Sequence, residues 1–242
     1  MDYKVSILGR NGFIGKALAE RFGDVCPYPH PDSKYLFYFD SPSSQEIFKD
    51  CPDYSISETI NGFLSVVRFC REHKIKLIYP SSATIYNNNN SYARTKSALE
   101  DIQMAYGGDI LGLRLFAGYG PGEEHKGKYA SIIYQFCKQM IKDGRPVIWG
   151  DGTQSRDFVF IGDIVNTITE NLDKTGIIDV GTGINTSFNE IIKIINQKLG
   201  KKIKPIYVKA PKNYTKETLC KNPIKTYLPV EFGIEVILRE LT

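Results

Sequence analysis

A tyrosine and a lysine four residues apart, Tyr92 and Lys96, have the spacing of a proton-transfer pair. On a helix the two side chains share a face. A free phenol, with a pKa of ~10, is a poor base near neutrality, and a neighbouring ammonium is expected to lower that pKa. Ser82 and Thr84 follow a predicted strand, residues 76–79, and their hydroxyls are expected to bond the reacting oxygen. The pattern predicts an acid–base device, and an ordinary amphipathic helix that happens to carry Tyr and Lys is the alternative.

Three glycines near the N-terminus, Gly9, Gly12 and Gly15, follow a predicted strand and precede a predicted helix. In a dinucleotide site the first glycine permits a tight turn, the second lets the backbone approach a pyrophosphate, and the third lets helix pack on strand. The helix N-terminus then offers free N–H groups and the positive end of its dipole to the phosphates. A purely structural turn is the alternative. The predicted cofactor contacts in this segment are Gly9, Arg10, Asn11, Gly12, Phe13, Ile14 and Gly15.

The charge around the predicted second strand bears on the choice between NAD and NADP. An acidic residue near the end of that strand binds the adenosine ribose of NAD. Residues 25–30 contain no Asp or Glu, and the first acidic side chain is Asp32. Arg10, inside the glycine turn, is instead suited to a 2′-phosphate. The sequence therefore favours NADP over NAD and leaves both open. Lys96 is also expected to hold the ribose hydroxyls beside the nicotinamide.

The rest of the chain alternates strand and helix patterns, which predicts an α/β protein with a parallel sheet covered on both faces. The predicted strands are residues 5–8, 24–28, 35–39, 76–79, 110–116, 158–161 and 177–180. The predicted helices are residues 15–22, 56–73, 92–106, 131–142 and 188–199. After residue 202 we expect a mixture of strand-like and loop segments.

Composition argues against several classes of protein. The 242 residues are 42% hydrophobic and 24% charged, with a net charge of +4, which is ordinary for a globular domain and indicates no nucleic-acid partner. The cysteines and histidines show no metal-ligand spacing, so we expect no metal site. No apolar run approaches the ~20 residues of a membrane span, and the first residues lack a signal region. These features predict a cytoplasmic protein without a membrane partner.

Four further segments extend the pattern, residues 58–62, 113–116, 150–158 and 179–183. The third of them reads Gly-Asp-Gly-Thr-Gln-Ser-Arg-Asp-Phe. With the glycine turn and the Tyr–Lys pair, they resemble the extended short-chain dehydrogenase/reductase family, in particular its sugar-nucleotide epimerases and dehydratases. The resemblance covers nearly the whole chain. It implies an NAD(P)-dependent enzyme with a Rossmann-like fold that acts on a nucleotide-diphosphate sugar.

The resemblance also implies roles for single residues. Asn61 would support the active-site backbone and the relay, and Arg156 would contact the diphosphate of the nucleotide. From the residues alone, Arg156 suits either a phosphate clamp or a structural salt bridge with Asp157 or Asp163. Lys212 would replace a second arginine of the family on the diphosphate. The predicted cofactor contacts outside the glycine turn are Asp40, Asn61, Ser81, Tyr92, Lys96 and Phe116. The predicted substrate contacts are Ser82, Thr84, Tyr92, Arg156 and Lys212.

The residues after Thr84 bear on the type of reaction. The 4,6-dehydratases of the family carry an Asp-Glu pair there, whereas this chain has Ile85 and Tyr86. The segment is most similar to UDP-galactose-type 4-epimerases, which implies transient oxidation of a sugar carbon, C4, and return of the hydride to its other face. A 4-keto-sugar-nucleotide reductase that consumes NADPH needs the same residues. A non-catalytic dinucleotide-binding sensor or scaffold is the third alternative.

The chain departs from the family pattern between His30 and Tyr35, where an entire helix–strand–helix crossover is missing. We therefore expect a doubly wound parallel sheet that lacks a crossover after strand two, together with a small α+β substrate lobe.

The two predicted domains are discontinuous. Residues 1–117 plus 158–184 are expected to form the dinucleotide-binding domain, and residues 118–157 plus 185–242 the sugar-nucleotide lobe. The reacting groups are expected in the gap between these lobes. Relatives often dimerise through two helices of the cofactor domain, so the resemblance implies a homodimer.

Overall fold

The computed structural model describes residues 4–86, 90–212, 214–225 and 227–242. Its strands are β1 (Val5–Leu8), β2 (Tyr35–Tyr38), β3 (Lys76–Ser82), β4 (Ile110–Leu115), β5 (Ala117–Tyr119), β6 (Val147–Trp149), β7 (Ser155–Phe160), β8 (Gly176–Val180), β9 (Asn185–Ser187), β10 (Ile206–Val208) and β11 (Glu217–Thr218). Its α-helices are α1 (Phe13–Phe22), α2 (Gln45–Asp50), α3 (Pro52–His73), α4 (Ser91–Tyr106), α5 (Ile132–Ile141), α6 (Ile161–Glu170), α7 (Phe188–Leu199) and α8 (Val230–Leu241). Short 3₁₀ helices cover Ala83–Tyr86 and Glu124–Tyr129.

The chain divides into two compact units. The first contains Met1–Leu115 and Val165–Asp179, and the second contains Phe116–Ile164 and Val180–Thr242. The second contribution to the first unit therefore begins at Val165, whereas the sequence predicted residue 158. The difference arises because β7 pairs with β5 and β9, which belong to the second unit.

The first unit is built on a five-stranded sheet in the order β1-β2-β3-β4-β8. Strands β1 to β4 pair in parallel, for example through Ile7 with Phe37 and Phe37 with Ile78. These three side chains are buried, because a parallel sheet with helices on its faces leaves no strand face to solvent. The prediction of a parallel α/β sheet is confirmed.

The sheet is shorter than predicted on the side of β1, where a predicted strand does not form. The predicted strand at residues 24–28 is reduced to a single bridge, in which Cys26 exchanges hydrogen bonds of 2.8 and 2.9 Å with the backbone of Ile7 and Val5. The bridge is followed by Pro27, Pro29 and Pro31. Proline has no backbone N–H to donate, so these residues cannot extend the bridge into a ladder of strand hydrogen bonds. On its other side β1 pairs directly with β2. Residues 27–34, which connect the Cys26 bridge to β2, contain no helix or strand, as expected for the missing crossover.

The second unit has its own core, which lies between short strands and three helices. Strand β7 is flanked by β5 and β11 in parallel and by β9 in antiparallel pairing, while β6 and β10 form a separate parallel pair. Helices α5, α7 and α8 supply most of the buried side chains, including Phe136, Ile191 and Ile234.

Helix α8 corrects the expectation for the C-terminal region, which was predicted as strand-like and loop segments. Ile234, Ile237 and Leu238 have the i, i+3, i+4 spacing of one helical face, and all three are buried. The run from Val236 to Leu238 is apolar and starts with two β-branched residues, and such a short run does not distinguish a strand from a helix. Among the described residues, no helix combines the length and the apolar character needed to cross a membrane.

Candidate active site

The predicted proton-transfer residues meet where β3 ends and α4 begins. Strand β3 ends at Ser82, and α4 begins at Ser91. The side chain of Asn90 caps this helix by accepting a 2.9 Å hydrogen bond from the backbone N–H of Ala93. The cap places Tyr92 in the first turn of α4, where its phenol is hydrogen-bonded to the side chain of Ser82.

Thr84 and Lys96 complete what we call the relay cluster, which consists of Ser82, Thr84, Tyr92 and Lys96. The hydroxyl of Thr84 donates to Ser82 Oγ across 3.0 Å. Lys96 lies one helical turn after Tyr92, and its Nζ atom is 5.9 Å from the centroid of the Tyr92 ring. Nζ donates to the carbonyl oxygen of Pro80 at 3.1 Å. Lys96 is only 2% exposed, and this burial lowers its pKa to about 8 because desolvation disfavours the charged ammonium.

The pKa of Tyr92 differs in direction from the sequence prediction. Burial raises the pKa of Tyr92, which is 8% exposed, and the hydrogen bond with Ser82 lowers it by less. The prediction that Lys96 lowers this pKa is wrong for this structure. Lys96 directs its ammonium to Pro80, and desolvation of the phenol dominates. Tyr92 therefore keeps its proton at neutral pH in this arrangement.

Two residues that the sequence analysis did not identify border the relay cluster. Phe48 of α2 packs edge-on against Tyr92, with 5.1 Å between the ring centroids. Ser41 accepts a hydrogen bond from Lys96 Nζ at 3.5 Å. The one sequence signal for α2 is Ser44, whose side chain caps the helix by accepting from a backbone N–H. A helix of six residues is too short to show an apolar period.

Asn61 lies on the exposed side of α3. Its role toward the active-site backbone and the relay stays a prediction. Thr59 is instead fully buried, and its hydroxyl has no hydrogen-bond partner among the described residues. Ser55, Thr59 and Phe63 follow one another at four-residue spacing along the buried face of α3, which is the signal that distinguishes Thr59 from Asn61.

Three other predicted cofactor contacts have distinct environments. The hydroxyl of Ser81 donates to the buried carboxylate of Glu100. Asp40 follows β2 and is exposed. Phe116 lies in the second unit, where it is buried and its backbone N–H donates to the carbonyl oxygen of Val180 at 3.1 Å. Their roles toward a cofactor stay predictions.

The glycine turn joins β1 to α1 with no room for side chains at two of its positions. Gly9 has a φ of 81°, and a Cβ there would lie 2.5 Å from the backbone of Phe39. A Cβ at Gly15 would lie 2.1 Å from the carbonyl oxygen of Gly9. Gly12 is the N-cap of α1 and brings no side chain to the helix N-terminus. Of the remaining predicted contacts, Arg10 and Asn11 are exposed, and Phe13 and Ile14 are half-buried.

In the second unit, Arg156 lies between two aromatic rings. Its guanidinium carbon is 5.6 Å from the ring centroid of Phe188 and 5.5 Å from that of Tyr214. Burial lowers the pKa of Arg156, and Tyr214 opposes that shift. One guanidinium nitrogen donates to the backbone carbonyl of Ser155 at 2.7 Å. The cation therefore lies in a partly desolvated position, where a phosphate is a strong partner.

The salt bridge considered for Arg156 is not formed. Asp157 accepts hydrogen bonds from the backbone N–H groups of Thr182 at 2.8 Å and Gly183 at 2.9 Å. Asp163 accepts one from the backbone of Leu228 at 2.9 Å. Both carboxylates thus stabilise turns of the second unit, which leaves the guanidinium of Arg156 without either of them.

A cavity of about 670 Å³ lies in the second unit beside this arginine. The residues that line it are Trp149, Gly150, Asp151, Thr153, Gln154, Ser155, Ala210, Pro211, Tyr214, Lys216 and Glu217. Ser155 and Tyr214 also contact Arg156, so the cavity and the guanidinium are adjacent. Lys212 is exposed in the same loop, and Lys216, which the sequence analysis did not select, lines the cavity.

Comparison with known proteins identifies the family to which these motifs correspond. The model of the family described as "NAD dependent epimerase/dehydratase family" matches residues 48–181, more than half of the chain. This match includes α4, β4 and Arg156 at the start of β7, and the glycine turn precedes it.

Two curated relatives have different substrates in their names. An ADP-L-glycero-D-manno-heptose-6-epimerase of Brachyspira hyodysenteriae is 33% identical over 158 residues, which cover 55% of this chain and 49% of that protein. A putative UDP-glucose 4-epimerase of Methanocaldococcus jannaschii is 30% identical over 179 residues, which cover 65% of this chain and 58% of that protein. The chain spans about half the length of the curated relatives it matches.

A solved structure supports the fold over nearly the whole chain. The UDP-N-acetylglucosamine 4-epimerase of Methanobrevibacter ruminantium superposes with a TM-score of 0.88, covering 99% of this chain and 98% of that one. The sequence identity is 21%, so this likeness shows a shared fold and no more.

Proposed function

Because this chain belongs to the NAD-dependent epimerase/dehydratase family, we propose that it epimerises a nucleotide sugar by transient oxidation of a sugar carbinol at C4. The observation that carries this proposal is the phenol of Tyr92, hydrogen-bonded to Ser82 beside the buried ammonium of Lys96. Thr84 supports it by donating to the same serine oxygen.

The glycine turn fits a dinucleotide. Side chains are excluded at Gly9 and Gly15, and Gly12 leaves the N-terminus of α1 to backbone groups. The first turn of α1, residues 13–16, carries no acidic side chain that would repel a pyrophosphate. When bound, NAD supplies the acceptor and later the donor of the hydride.

The residues of the relay cluster divide the proton chemistry among them. As a phenolate, which forms only after the phenol has released its own proton, Tyr92 Oη takes the proton of the sugar hydroxyl during oxidation and returns it during reduction. Ser82 favours the phenolate by donating to it, because a hydrogen bond to the charged form lowers a pKa. Lys96 has three N–H donors, of which Pro80 and Ser41 take two, so one remains for a ribose hydroxyl. Phe48 packs on Tyr92 and keeps water from the phenol.

In this proposal the guanidinium of Arg156 binds the diphosphate of the nucleotide sugar. The guanidinium is held between Phe188 and Tyr214, so its hydrogen-bonding edge is presented in one orientation. A planar fork of N–H donors matches two phosphate oxygens, and the adjacent cavity has room for a nucleoside. The exposed cation of Lys212 supports a second, weaker contact with the diphosphate.

The environment of Tyr86 supports epimerisation over 4,6-dehydration. Elimination of water needs an acid and a base after Thr84, whereas this chain has Ile85 and Tyr86. The hydroxyl of Tyr86 is engaged by Arg114 at 2.6 Å and by Asp179 at 2.8 Å, so it is not free to protonate a leaving group. A homodimer and a cytoplasmic location stay predictions.

The direct test is to incubate the purified chain with NAD and one nucleotide sugar at a time. The three sugars are UDP-glucose, UDP-N-acetylglucosamine and ADP-L-glycero-D-manno-heptose. We expect a UDP-sugar to be converted into its C4 epimer without net change in the absorbance of reduced nicotinamide. Epimerisation of the heptose alone would move the reacting carbon to C6. Net oxidation of NADPH with a 4-keto sugar would indicate a reductase, and cofactor binding without any turnover would indicate a scaffold.

The cofactor preference has its own test. We expect NADP to bind at least as tightly as NAD, because Arg10 is exposed in the glycine turn and residues 25–30 provide no carboxylate for the ribose. Isothermal titration calorimetry of both cofactors measures this. Arg10→Gln should weaken NADP about tenfold, or ~1.4 kcal/mol, and leave NAD unchanged. Binding of NAD at least tenfold more tightly than NADP by the unmodified protein would contradict the preference.

A further inference from the structure

Arg114, in β4, holds two side chains of the first unit at once. Its Nε and one terminal nitrogen donate to the two carboxylate oxygens of Glu100 at 2.9 and 2.6 Å. Its other terminal nitrogen donates to the hydroxyl of Tyr86 at 2.6 Å, and the guanidinium lies 4.9 Å from the centre of the Tyr86 ring. A guanidinium can do this because its five N–H donors form a rigid fork.

Both partners of Arg114, Glu100 and Tyr86, form a hydrogen bond with one further side chain each. The buried carboxylate of Glu100 accepts the hydroxyl of Ser81, the residue before Ser82. The hydroxyl of Tyr86 donates to Asp179 across 2.8 and 3.0 Å. A continuous chain of hydrogen bonds therefore runs from Ser81 through Glu100, Arg114 and Tyr86 to Asp179.

This chain anchors both ends of the segment formed by residues 81–86. The first residue is held through Glu100 and the last through Arg114. Ser82 and Thr84, whose hydroxyls belong to the relay cluster, lie between the two anchors. Within the segment, Ser81 and Ser82 end β3 and pair with Arg114 and Leu115 of β4. Residues 83–86 form a short 3₁₀ helix, which has poor hydrogen-bond geometry of its own.

The carboxylate of Glu100 also helps to align α4 with the end of β3. Glu100 lies one helical turn after Lys96 and two turns after Tyr92, so the three side chains share a face. Along that face Tyr92 contacts Ser82, Lys96 contacts Pro80, and Glu100 contacts the intervening serine of β3. Three successive residues of β3 are thus bonded to three successive turns of α4.

We propose that Arg114 and Tyr86 are positioning residues, which hold the hydroxyls of Ser82 and Thr84 at the phenol of Tyr92 by anchoring the segment 81–86. The inference rests on the proposed relay. Neither residue reaches the relay cluster directly, so their effect passes through the backbone between the anchors. The proposal predicts a loss in the chemical step with unchanged substrate binding.

Tyr86→Phe is the sharpest test, because it removes one hydroxyl from a side chain that is 49% exposed and leaves the buried ion pair in place. With UDP-glucose as the probe, we expect kcat to fall about 10- to 100-fold with KM unchanged, as small misplacements of reacting groups do. Hydrogen exchange measured by mass spectrometry should be faster in a peptide that covers residues 81–86, where the amide of Thr84 bonds to Ser82. Tyr54→Phe, at a 62% exposed tyrosine of α3, is the matched control and should change neither.

Arg114→Lys separates the two contacts of the arginine. A lysine keeps a positive charge beside Glu100, so the protein folds, but it lacks the rigid planar fork of donors with which the guanidinium spans both the carboxylate and Tyr86. We expect a loss of kcat similar to that of Tyr86→Phe. The double variant should lose no more than Arg114→Lys alone, because both changes break the same chain.

The outcomes distinguish this inference from the proposed function. If Tyr92→Phe loses turnover while Tyr86→Phe keeps the kcat of the unmodified protein, positioning by Tyr86 is overturned and the relay stands. If Tyr86→Phe shows faster hydrogen exchange in residues 81–86 but an unchanged kcat, the hydrogen bonds of Tyr86 stabilise the segment without affecting catalysis. That result also overturns the inference. If Tyr92→Phe keeps full turnover, the relay fails and this inference fails with it.

Discussion

Tyr92→Phe should lower kcat about 10³-fold while NAD affinity stays within about twofold. The substitution removes the one atom that exchanges a proton with the sugar, and it keeps the ring that packs against Phe48. Its free energy of unfolding should change by only about 1 kcal/mol, because one hydrogen bond to Ser82 is lost. Steady-state kinetics with UDP-glucose, calorimetry with NAD and urea denaturation measure the three quantities.

Tyr106→Phe is the matched control for this prediction. Tyr106 is the last residue of the same helix, is half-buried and packs against Arg71, far along α4 from the relay cluster. It should retain the kcat of the unmodified protein. A kcat within tenfold of the unmodified value in Tyr92→Phe would remove the phenol from the proton path.

Gly15→Ala should both weaken NAD binding at least tenfold and lower the free energy of unfolding by about 1–3 kcal/mol. The added methyl group would lie 2.1 Å from the carbonyl oxygen of Gly9 and 2.7 Å from its carbonyl carbon. Gly9 cannot yield easily, because the backbone of Phe39 fills the space where a Cβ of Gly9 would lie. Either α1 or the turn must move, and both form the predicted pyrophosphate site. Calorimetry with NAD and urea denaturation at constant m-value measure the effects.

Gly12→Ala provides the comparison within the same turn. Its Cβ would lie 3.3 Å from the oxygen of Gly9, and Gly12 has a φ of −78°, which alanine adopts without strain. We expect its stability to stay within about 1 kcal/mol of the unmodified protein, since alanine also restricts the unfolded chain. Equal stabilities for Gly15→Ala and the unmodified protein, or equal losses for the two variants, would show that close packing at Gly15 is not what the turn requires.

The sheet of the first unit was predictable because its strands are short apolar runs between turn residues. β1, β2 and β3 each appear in the sequence as such a run, and helices flank them at the positions where four-residue spacing predicts α3 and α4. Sequence reasoning missed α2, α6 and α8. Helix α2 is too short to show a period, and the apolar run within α8 did not distinguish a strand from a helix. Their structure depends on partners that are distant in the chain.

The candidate site divides in the same way. The contact between Tyr92 and Ser82 follows from a strand end and a helix start that adjoin in a parallel sheet. The position of Phe48 over the phenol follows from no local pattern, because it depends on how α2 is rotated against the sheet. The exposure of Asn61, by contrast, agrees with the four-residue spacing of Ser55, Thr59 and Phe63 on the buried face of α3. Arg156 was recognisable as a phosphate ligand or an ion-pair partner, and the structure excludes the two ion pairs considered because Asp157 and Asp163 bond backbone groups instead.

The amino-acid sequence by itself determined the glycine turn and the shared face of Tyr92 and Lys96, because each depends on neighbours within a few turns of chain. It also indicated the missing crossover, because the connection between His30 and Tyr35 is too short to contain one. Tertiary structure alone decided the direction of the Tyr92 pKa and the anchoring of residues 81–86 through Arg114. The burial of the Tyr92 phenol and the hydrogen-bond partners of Arg114 depend on several segments that are distant in the chain. They therefore cannot be read from the pattern of any one segment.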